Sequence, residues 1–405
     1  MIGKSIYTRV ILGLSVALFL SGCSFGHPLV GIYPGEAGEK DDRSLLVLAV
    51  LGSGFFSSSG GSGSGRTVLR YAYVGGSAGL IRQYTVNDAT GVFTANGVPS
   101  VASGANVWDL EVHPNNRFVY GADRSGTSIY QYAVNAATGV LSPLSPATVA
   151  TSSSDPIAIA IHPGGRHGYA GFVSGPGIDM FSIDPDTGLW SAKTPANLAG
   201  CSSAKDMAFH PSGNFFYVVC DGGDHIRRHS VDSAGQLTFL GATGLGSQPN
   251  GLTLTPDGAY LYVADQNSSQ TYLFAVNGTT GDLTALGTPA IITDTWPAKV
   301  VVDSAGLYAY VNCWNAGSQT VRMYRIGAGT GILSNNTPAS ISTGGSQPID
   351  MRGDPTGRYV YALNSASGTV NMYSIASTTG LLTSNGLVAA AGSPRGVAFV
   401  TETVF

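Results

Sequence analysis

Short apolar runs broken by turn residues follow one another along this chain in a fixed order, and the order repeats. The aromatic that closes the clearest run of each repeat marks the period: Tyr73, Tyr120, Tyr169, Tyr217, Tyr262, Tyr310 and Tyr361 stand 45 to 51 residues apart. Each repeat reads as a small-residue turn, an apolar run up to His-Pro or its equivalent, a Gly/Asn turn, an aromatic-rich run, a Ser/Gly loop, a run ending near Thr-Gly, and a looser fourth run. Four short strands at such a period predict the blades of a β-propeller.

The unit beginning at Ile157 fixes the strand types. Ile157-Ala-Ile-Ala-Ile161 runs into the tight turn His162-Pro-Gly-Gly165, and Arg166-His-Gly-Tyr-Ala-Gly-Phe172 returns antiparallel to it. Gly177 to Ile183 follows with period two, Asp186-Thr-Gly188 turns the chain, and Leu189-Trp190 opens the outer strand. The two ends of the chain complement each other. The first repeat starts at its second strand, Val68 to Val74, whereas the chain finishes on a lone inner strand, Arg395 to Val400. The expectation is an all-β, seven-bladed ring of four-stranded antiparallel blades, with the last strand closing the first blade and so removing an exposed edge.

Composition agrees with this reading. Charged residues make up 11% of the chain against roughly 25% in a typical soluble domain, and 56 Gly in 405 residues is about twice the usual share. Turn-dense, uncharged β structure accounts for both. Length alone would allow two or three domains, but the repeat is unbroken, so residues 66–405 are expected to form one.

Residues 1–22 stand apart from the ring. Lys4 and Arg9 give a basic start, Val10 to Leu20 is an apolar stretch too short to span a bilayer, and Leu20-Ser-Gly-Cys23 follows. This resembles a bacterial lipoprotein signal with its lipobox, which implies cleavage before Cys23, acylation of that residue and stable anchoring in a membrane. Ser24, rather than Asp, at the next position points by analogy with lipoprotein sorting to the outer membrane of the cell envelope. Loss of the two cations Lys4 and Arg9 takes the formal charge from −4 to −6, and no basic patch speaks for nucleic acid. Residues 23–65 read as a tether. It holds a charged stretch from Glu36 to Arg43, an apolar run from Leu45 to Phe56 that suits either a membrane surface or the ring, and a flexible linker from Ser57 to Gly65.

Cys201 lies just before one inner strand and Cys220 ends the strand returning beside it, so an oxidising compartment would allow a disulfide between them. Cys313, two blades on, is left over as a buried small residue. No spacing suggests a metal site, and no cofactor is implied.

Candidate chemistry gathers on the inner strands. Aligned on their prolines, they give one apolar column, Leu110, Ile159, Met207, Leu252, Val300, Met351 and Val397, which reads as packing between blades. The neighbouring column is Asp109, Ala158, Asp206, Gly251, Lys299, Asp350 and Gly396, with Glu111 and Arg352 two residues further in. Charge this scarce, gathered at one end of a channel, must be paired or solvated. It reads either as a polar, ligand-binding funnel or as ion pairs filling a wet channel. Trp108 and Trp296 at inner-strand entrances and Trp314 in a second-to-third-strand loop add aromatic surface that suits a sugar or aromatic ligand, or the packing of one loop on another. The candidate binding residues are therefore Trp108, Asp109, Asp206, Trp296, Lys299, Asp350 and Arg395. His113, His162 and His210 recur before Pro at the turns of the opposite end and read as scaffold; His225 does not recur and falls on the proposed functional face.

Ile159-Ala-Ile-His-Pro-Gly-Gly165, Asp184-Pro-Asp-Thr-Gly188, and Leu254-Thr-Pro-Asp-Gly258 followed by Ala259-Tyr-Leu-Tyr-Val-Ala-Asp265 resemble the seven-bladed lactonase family. That family includes propeller-type 6-phosphogluconolactonases and muconate-lactonizing enzymes, and Tyr-Val-Thr-Asn repeat propellers of cell envelopes share its motif. The resemblance covers residues 66 to 400. Active members carry Gly-Pro-Arg-His or Pro-His at the start of an inner strand and an Asp-Leu-Gly-x-Asp-Arg loop nearby. Here Ser393-Pro-Arg-Gly396 keeps Arg395 but has Gly396 in place of His, and Asp221-Gly-Gly-Asp-His225 is one residue short with His in place of Arg. Lactone hydrolysis needs a base for water and a donor for the developing oxyanion. Glu111 or Asp206 as base, with Arg352, Arg395 or His225 as donor, are the catalytic candidates. The departures from the pattern favour a monomeric, lipid-anchored envelope propeller that binds a small molecule or an envelope or extracellular protein. The alternative is a lactonase-type hydrolase working at the channel mouth.

Overall fold

The computed structural model describes residues 65–405 apart from Pro176, Thr293, residues 315–318 and Ala391. The leader, Cys23 and the apolar run of the tether lie outside the described residues. Residues Ser62–Phe405 form one compact unit, in which twenty-eight described strands, β1 to β28 in chain order, make seven four-stranded antiparallel sheets. The innermost strand of each blade touches the innermost strand of the next. In ring order these are β28 (Pro394–Val404), β4 (Val107–Val112), β8 (Pro156–Ile161), β12 (Ala204–Phe209), β16 (Pro249–Leu254), β20 (Pro297–Val302) and β24 (Pro348–Gly353).

The ring closes as the chain ends predict. β28 pairs antiparallel with β1 (Arg66–Gly76), from Arg66 opposite Val404 to Gly76 opposite Pro394. Val397 and Phe399 of β28 are buried in a cluster holding Tyr361, Leu363 and Met372 of the seventh blade with Leu69 and Tyr84 of the first. Each buries side-chain surface worth roughly 1.5–3 kcal/mol. Asp88 reinforces this seam: it is ion-paired with Arg66 and with Arg358, and its carbonyl accepts the Tyr359 hydroxyl at 2.8 Å.

Adjacent blades are locked by the repeated tyrosines. Each is fully buried, and its hydroxyl donates to the carbonyl of a turn glycine in the following blade at 2.8–3.0 Å, a Thr-Gly glycine in every case but Gly235: Tyr73 to Gly139, Tyr120 to Gly188, Tyr169 to Gly235, Tyr217 to Gly281, Tyr262 to Gly331, Tyr310 to Gly380, and Tyr361 across the closure to Gly91. These glycines cannot be replaced freely. Gly281 has φ +73°, and a Cβ there would lie 2.6 Å from the Phe215 ring of the preceding blade. The seven-residue apolar column of the inner strands is buried throughout, as its pattern predicts.

The repeated histidines brace turns. His113 Nε2 bonds the Gly165 carbonyl at 2.7 Å and His162 Nε2 the Gly213 carbonyl at 3.1 Å, each reaching the equivalent turn of the next blade. Cys201 and Cys220 are joined in a disulfide with a Cα–Cα distance of 5.4 Å, and Cys313 is a buried free cysteine.

Candidate functional site

Successive side chains of a strand point to opposite faces, so the residue before each member of the buried column is turned toward the channel. Asp109, Asp206, Lys299 and Asp350 arrive there from four blades. With Trp108, Trp314, Arg124, Lys205, Arg352 and Arg395 they line one cavity of about 360 Å³.

Its carboxylates are not alike. Asp109 Oδ1 accepts from its own strand at Leu110 N (3.0 Å), and Oδ2 from the next blade's inner strand at Ile159 N (2.9 Å). Asp206 repeats the device with Met207 N at 3.0 Å and Leu252 N at 2.8 Å. Each also meets a cation, Asp109 with Arg352 at 2.6 Å and Asp206 with Lys299 at 2.7 Å. Only 8% and 9% exposed, they tie blades together, and of the two readings of the sequence column these two carboxylates take the paired one. Asp350 is 5% exposed, enters no ion pair among the described residues, and its Oδ1 has no hydrogen-bond partner.

Electrostatics follow from burial. Burial pushes the Asp109 carboxyl up to about 7, against the pull of Arg352 and with Glu111 adding to the rise. Burial opposes the charge of Lys299, but Asp206 and Asp350 outweigh it and raise its pKa; Glu111 and Asp109 do the same for Arg352. Both cations stay protonated at any working pH.

The Arg352 guanidinium spans the channel. Besides Asp109 it pairs with Glu111 at 2.8 Å, and Glu111 lines a second cavity of about 310 Å³ shared with His113. Asp206, Lys299 and Arg352 also border a third, of about 430 Å³. The ion pairs thus form a waist, with the mouth on one side and the lower channel on the other. None of the three repeated histidines lines the mouth.

Three expectations need correction. Glu111 lies beyond the waist and outside the mouth lining. His225 does not line the cavity either: a 3₁₀ turn at Asp221–Gly223 delivers it to the start of β14 (His225–Val231), where its Nδ1 bonds the Gly223 carbonyl of its own turn at 2.7 Å. Trp296, at φ +62° and exposed, lies outside the mouth lining and packs its ring on Trp314 at 4.9 Å between centroids.

The structure also adds residues. Arg124, after β5 (Phe118–Asp123), lies with its Cζ 4.0 Å from the centroid of the Trp108 ring, and Arg395 lies at 4.2 Å from the same ring. A signal for Arg124 is present in the sequence, since Gly121-Ala-Asp-Arg124 matches the second half of the family loop Asp-Leu-Gly-x-Asp-Arg. Lys205, also in the lining, pairs with Asp221 at 3.2 Å. Among the described residues no group of three His, Cys, Asp or Glu side chains is placed to hold a metal ion.

Residues 71–194, 190–293 and 287–399 match the family described as lactonase, 7-bladed beta-propeller. Over 141 residues the chain is 29% identical to the 6-phosphogluconolactonase of Pectobacterium carotovorum subsp. carotovorum (strain PC1), a match covering 32% of this chain and 40% of that relative's length. A candidate 6-phosphogluconolactonase from Bacteroides uniformis superposes with a TM-score of 0.73 at 22% identity, covering 82% of this chain and 99% of that one. The periplasmic gluconolactonase of Pseudomonas aeruginosa does so at 0.70 and 19%, with the same coverage. At such identities the superpositions show the fold. The family match fits the lactonase alternative better than the binding-module reading drawn from the altered motifs. With three matched segments running from residue 71 to residue 399, the chain belongs to the seven-bladed β-propeller lactonase family.

Proposed function

We propose that the protein hydrolyses a small lactone at the mouth cavity, opening the ring to a hydroxy acid. The observation that carries this reading is Asp350, a buried carboxylate in the lining with an unpartnered oxygen, in a chain of the lactonase family. Asp206 and Asp109 are occupied by three donors each, and Glu111 lies below the waist. Asp350 takes the proton of a water that attacks the lactone carbonyl. Lys299, fixed by Asp206 and held protonated, donates to the oxyanion of the tetrahedral intermediate. Collapse breaks the acyl C–O bond, and the proton on Asp350 passes to the leaving alkoxide.

The test is hydrolysis of glucono-1,5-lactone and its 6-phosphate, followed by acid release. Asp350→Asn should lower kcat by about a hundredfold or more while the melting temperature moves by no more than a few degrees. A wild-type protein inactive on both lactones, or an Asp350→Asn variant as active as wild type, would sink this assignment.

A further inference from the structure

We infer that Trp296 and Trp314 form an aromatic platform for a second sugar ring, so that the lactone taken at the mouth is the end unit of a disaccharide or a longer glycoside. The inference deepens the hydrolase reading and rests on it for the lactone itself. Both tryptophans belong to the sixth blade, Trp296 directly before β20 and Trp314 directly after β21 (Tyr308–Cys313). The Trp314 backbone N–H donates to the Trp296 carbonyl at 3.2 Å, and the two rings pack 4.9 Å apart between centroids, inclined by 58°. Trp314 lines the cavity, and Trp296, 38% exposed, continues the aromatic surface outward beyond the lining.

Two local costs coincide in this pair. The residue entering the inner strand has a left-handed backbone in several blades, and at Asp155, Ser203, Gln248 and Gln347, with φ between 52° and 65°, it is polar. Trp296 takes the same conformation at φ +62°, where a bulky side chain crowds the neighbouring carbonyl. Buried tryptophans usually give the indole N–H an acceptor, yet Trp314 Nε1 is buried with no hydrogen-bond partner. The turn itself demands neither cost, since polar residues make it elsewhere in the ring. Local rules broken together beside a cavity point to a functional surface.

Its position fits an extended sugar. Lys299, the oxyanion donor of the proposed reaction, follows Trp296 by three residues, about 10 Å at most along a strand, which is the reach of a disaccharide. The cavity of about 360 Å³ lies at the small end of the range for ligand pockets, roughly 300–1,000 Å³, so a second ring extends over the rim toward Trp296. Asn250 and Gln266 of the fifth blade and Gln347 of the seventh bring neutral amides to the same cavity from either side of the sixth. Indole surface takes the C–H face of a sugar ring while amides bond its hydroxyls, and neither asks the second ring for a charge.

Calorimetric titration of the intact protein tests the platform with three probes: gluconate and the two disaccharide acids cellobionate and maltobionate. At least one disaccharide acid should bind roughly tenfold more tightly than gluconate. Trp296→Ala should remove that advantage, and Trp296→Tyr, which keeps a ring, should retain most of it. Trp296→Gly, which suits the left-handed backbone, should remove it as well while the melting temperature moves by no more than a few degrees. Disaccharide acids that bind no more tightly than gluconate would overturn the platform, and so would Ala and Gly variants that melt lower but keep the wild-type ratio of affinities, since Trp296 would then serve only to pack Trp314. The fate of the platform is separable from that of the hydrolase. Tighter binding of a disaccharide acid without hydrolysis of glucono-1,5-lactone or of the disaccharide lactone removes the hydrolase and keeps the platform, whereas hydrolysis of both lactones at equal kcat/KM removes the platform and keeps the hydrolase.

Discussion

Tyr217 illustrates how a single residue contributes to this ring. Its hydroxyl bonds the Gly281 carbonyl at 3.0 Å inside a closed seam, so Tyr217→Phe leaves a buried acceptor without a partner. The expected loss is about 1–3 kcal/mol, read from the urea midpoint; an unchanged midpoint would contradict the seam bond. His229, on β14, is buried, with no side-chain hydrogen-bond partner for either ring nitrogen, and its pKa is lowered to about 4 by burial, with Arg227 adding to the effect. The unfolded chain takes up a proton at His229 below the ordinary imidazole value of 6.5, while the folded chain resists it until about pH 4. Stability should therefore fall as pH drops through that window, by about 3 kcal/mol in total. Denaturation of His229→Leu across the same range should show this component gone. The carboxylates divide in the same way: Asp206→Ala should cost stability because two backbone N–H groups and Lys299 lose their acceptor, whereas Asp350→Asn should cost activity. The repeated tyrosines were legible as a period in the sequence. The division between Asp206 and Asp350 was not, because both occupy the same column and only their partners distinguish them.

Among the elements, β28 has the largest consequence. It completes the sheet of the first blade while its side chains fill the core against the seventh, so deleting residues 394–405 opens the ring and exposes two interfaces at once. Thermal unfolding of that truncation should lose its cooperative transition; a sharp transition near the wild-type temperature would refute the closure. The sequence shows this clasp openly, because the first repeat lacks its inner strand and the last strand lacks a blade. The loops were harder to read. The position of His225 between two strands predicts a place on the functional face, but the short 3₁₀ turn before it folds its ring onto its own backbone. Arg124 sits in a loop of the same kind and reaches the mouth. Strand register is periodic, whereas the direction of a loop side chain is set by the few dihedrals of that loop.

For the whole molecule, the lipobox at Leu20-Ser-Gly-Cys23 leads us to propose that the propeller is a lipoprotein of the cell envelope, delivered to the outer membrane in a host that has one. Cys23→Ala should release the protein into the soluble fraction, and mass spectrometry of the wild-type amino terminus should find acylated Cys23. An unmodified amino terminus at any other residue would exclude the anchor. A tethered ring with its mouth at one end and braced histidine turns at the other would act on lactones in the envelope, and its activity should survive release from the membrane, since the described residues of the mouth all belong to the ring.

The number of blades, the order and pairing of their strands, the closure and the buried column are legible along the chain, since repeat period and strand alternation are properties written along one dimension. The repeat also places Asp109, Asp206, Lys299, Asp350 and Arg395 at one mouth, because equivalent positions in a ring of repeats must converge on its axis. Which charges are neutralised depends on the folded ring. Arg352 of the seventh blade meets Asp109 and Glu111 of the second, more than 240 residues away, and Arg395 near the end of the chain shares Trp108 with Arg124. Such pairs form across a channel between non-equivalent positions, where side-chain reach and ring closure set the distance and no periodic signal records it.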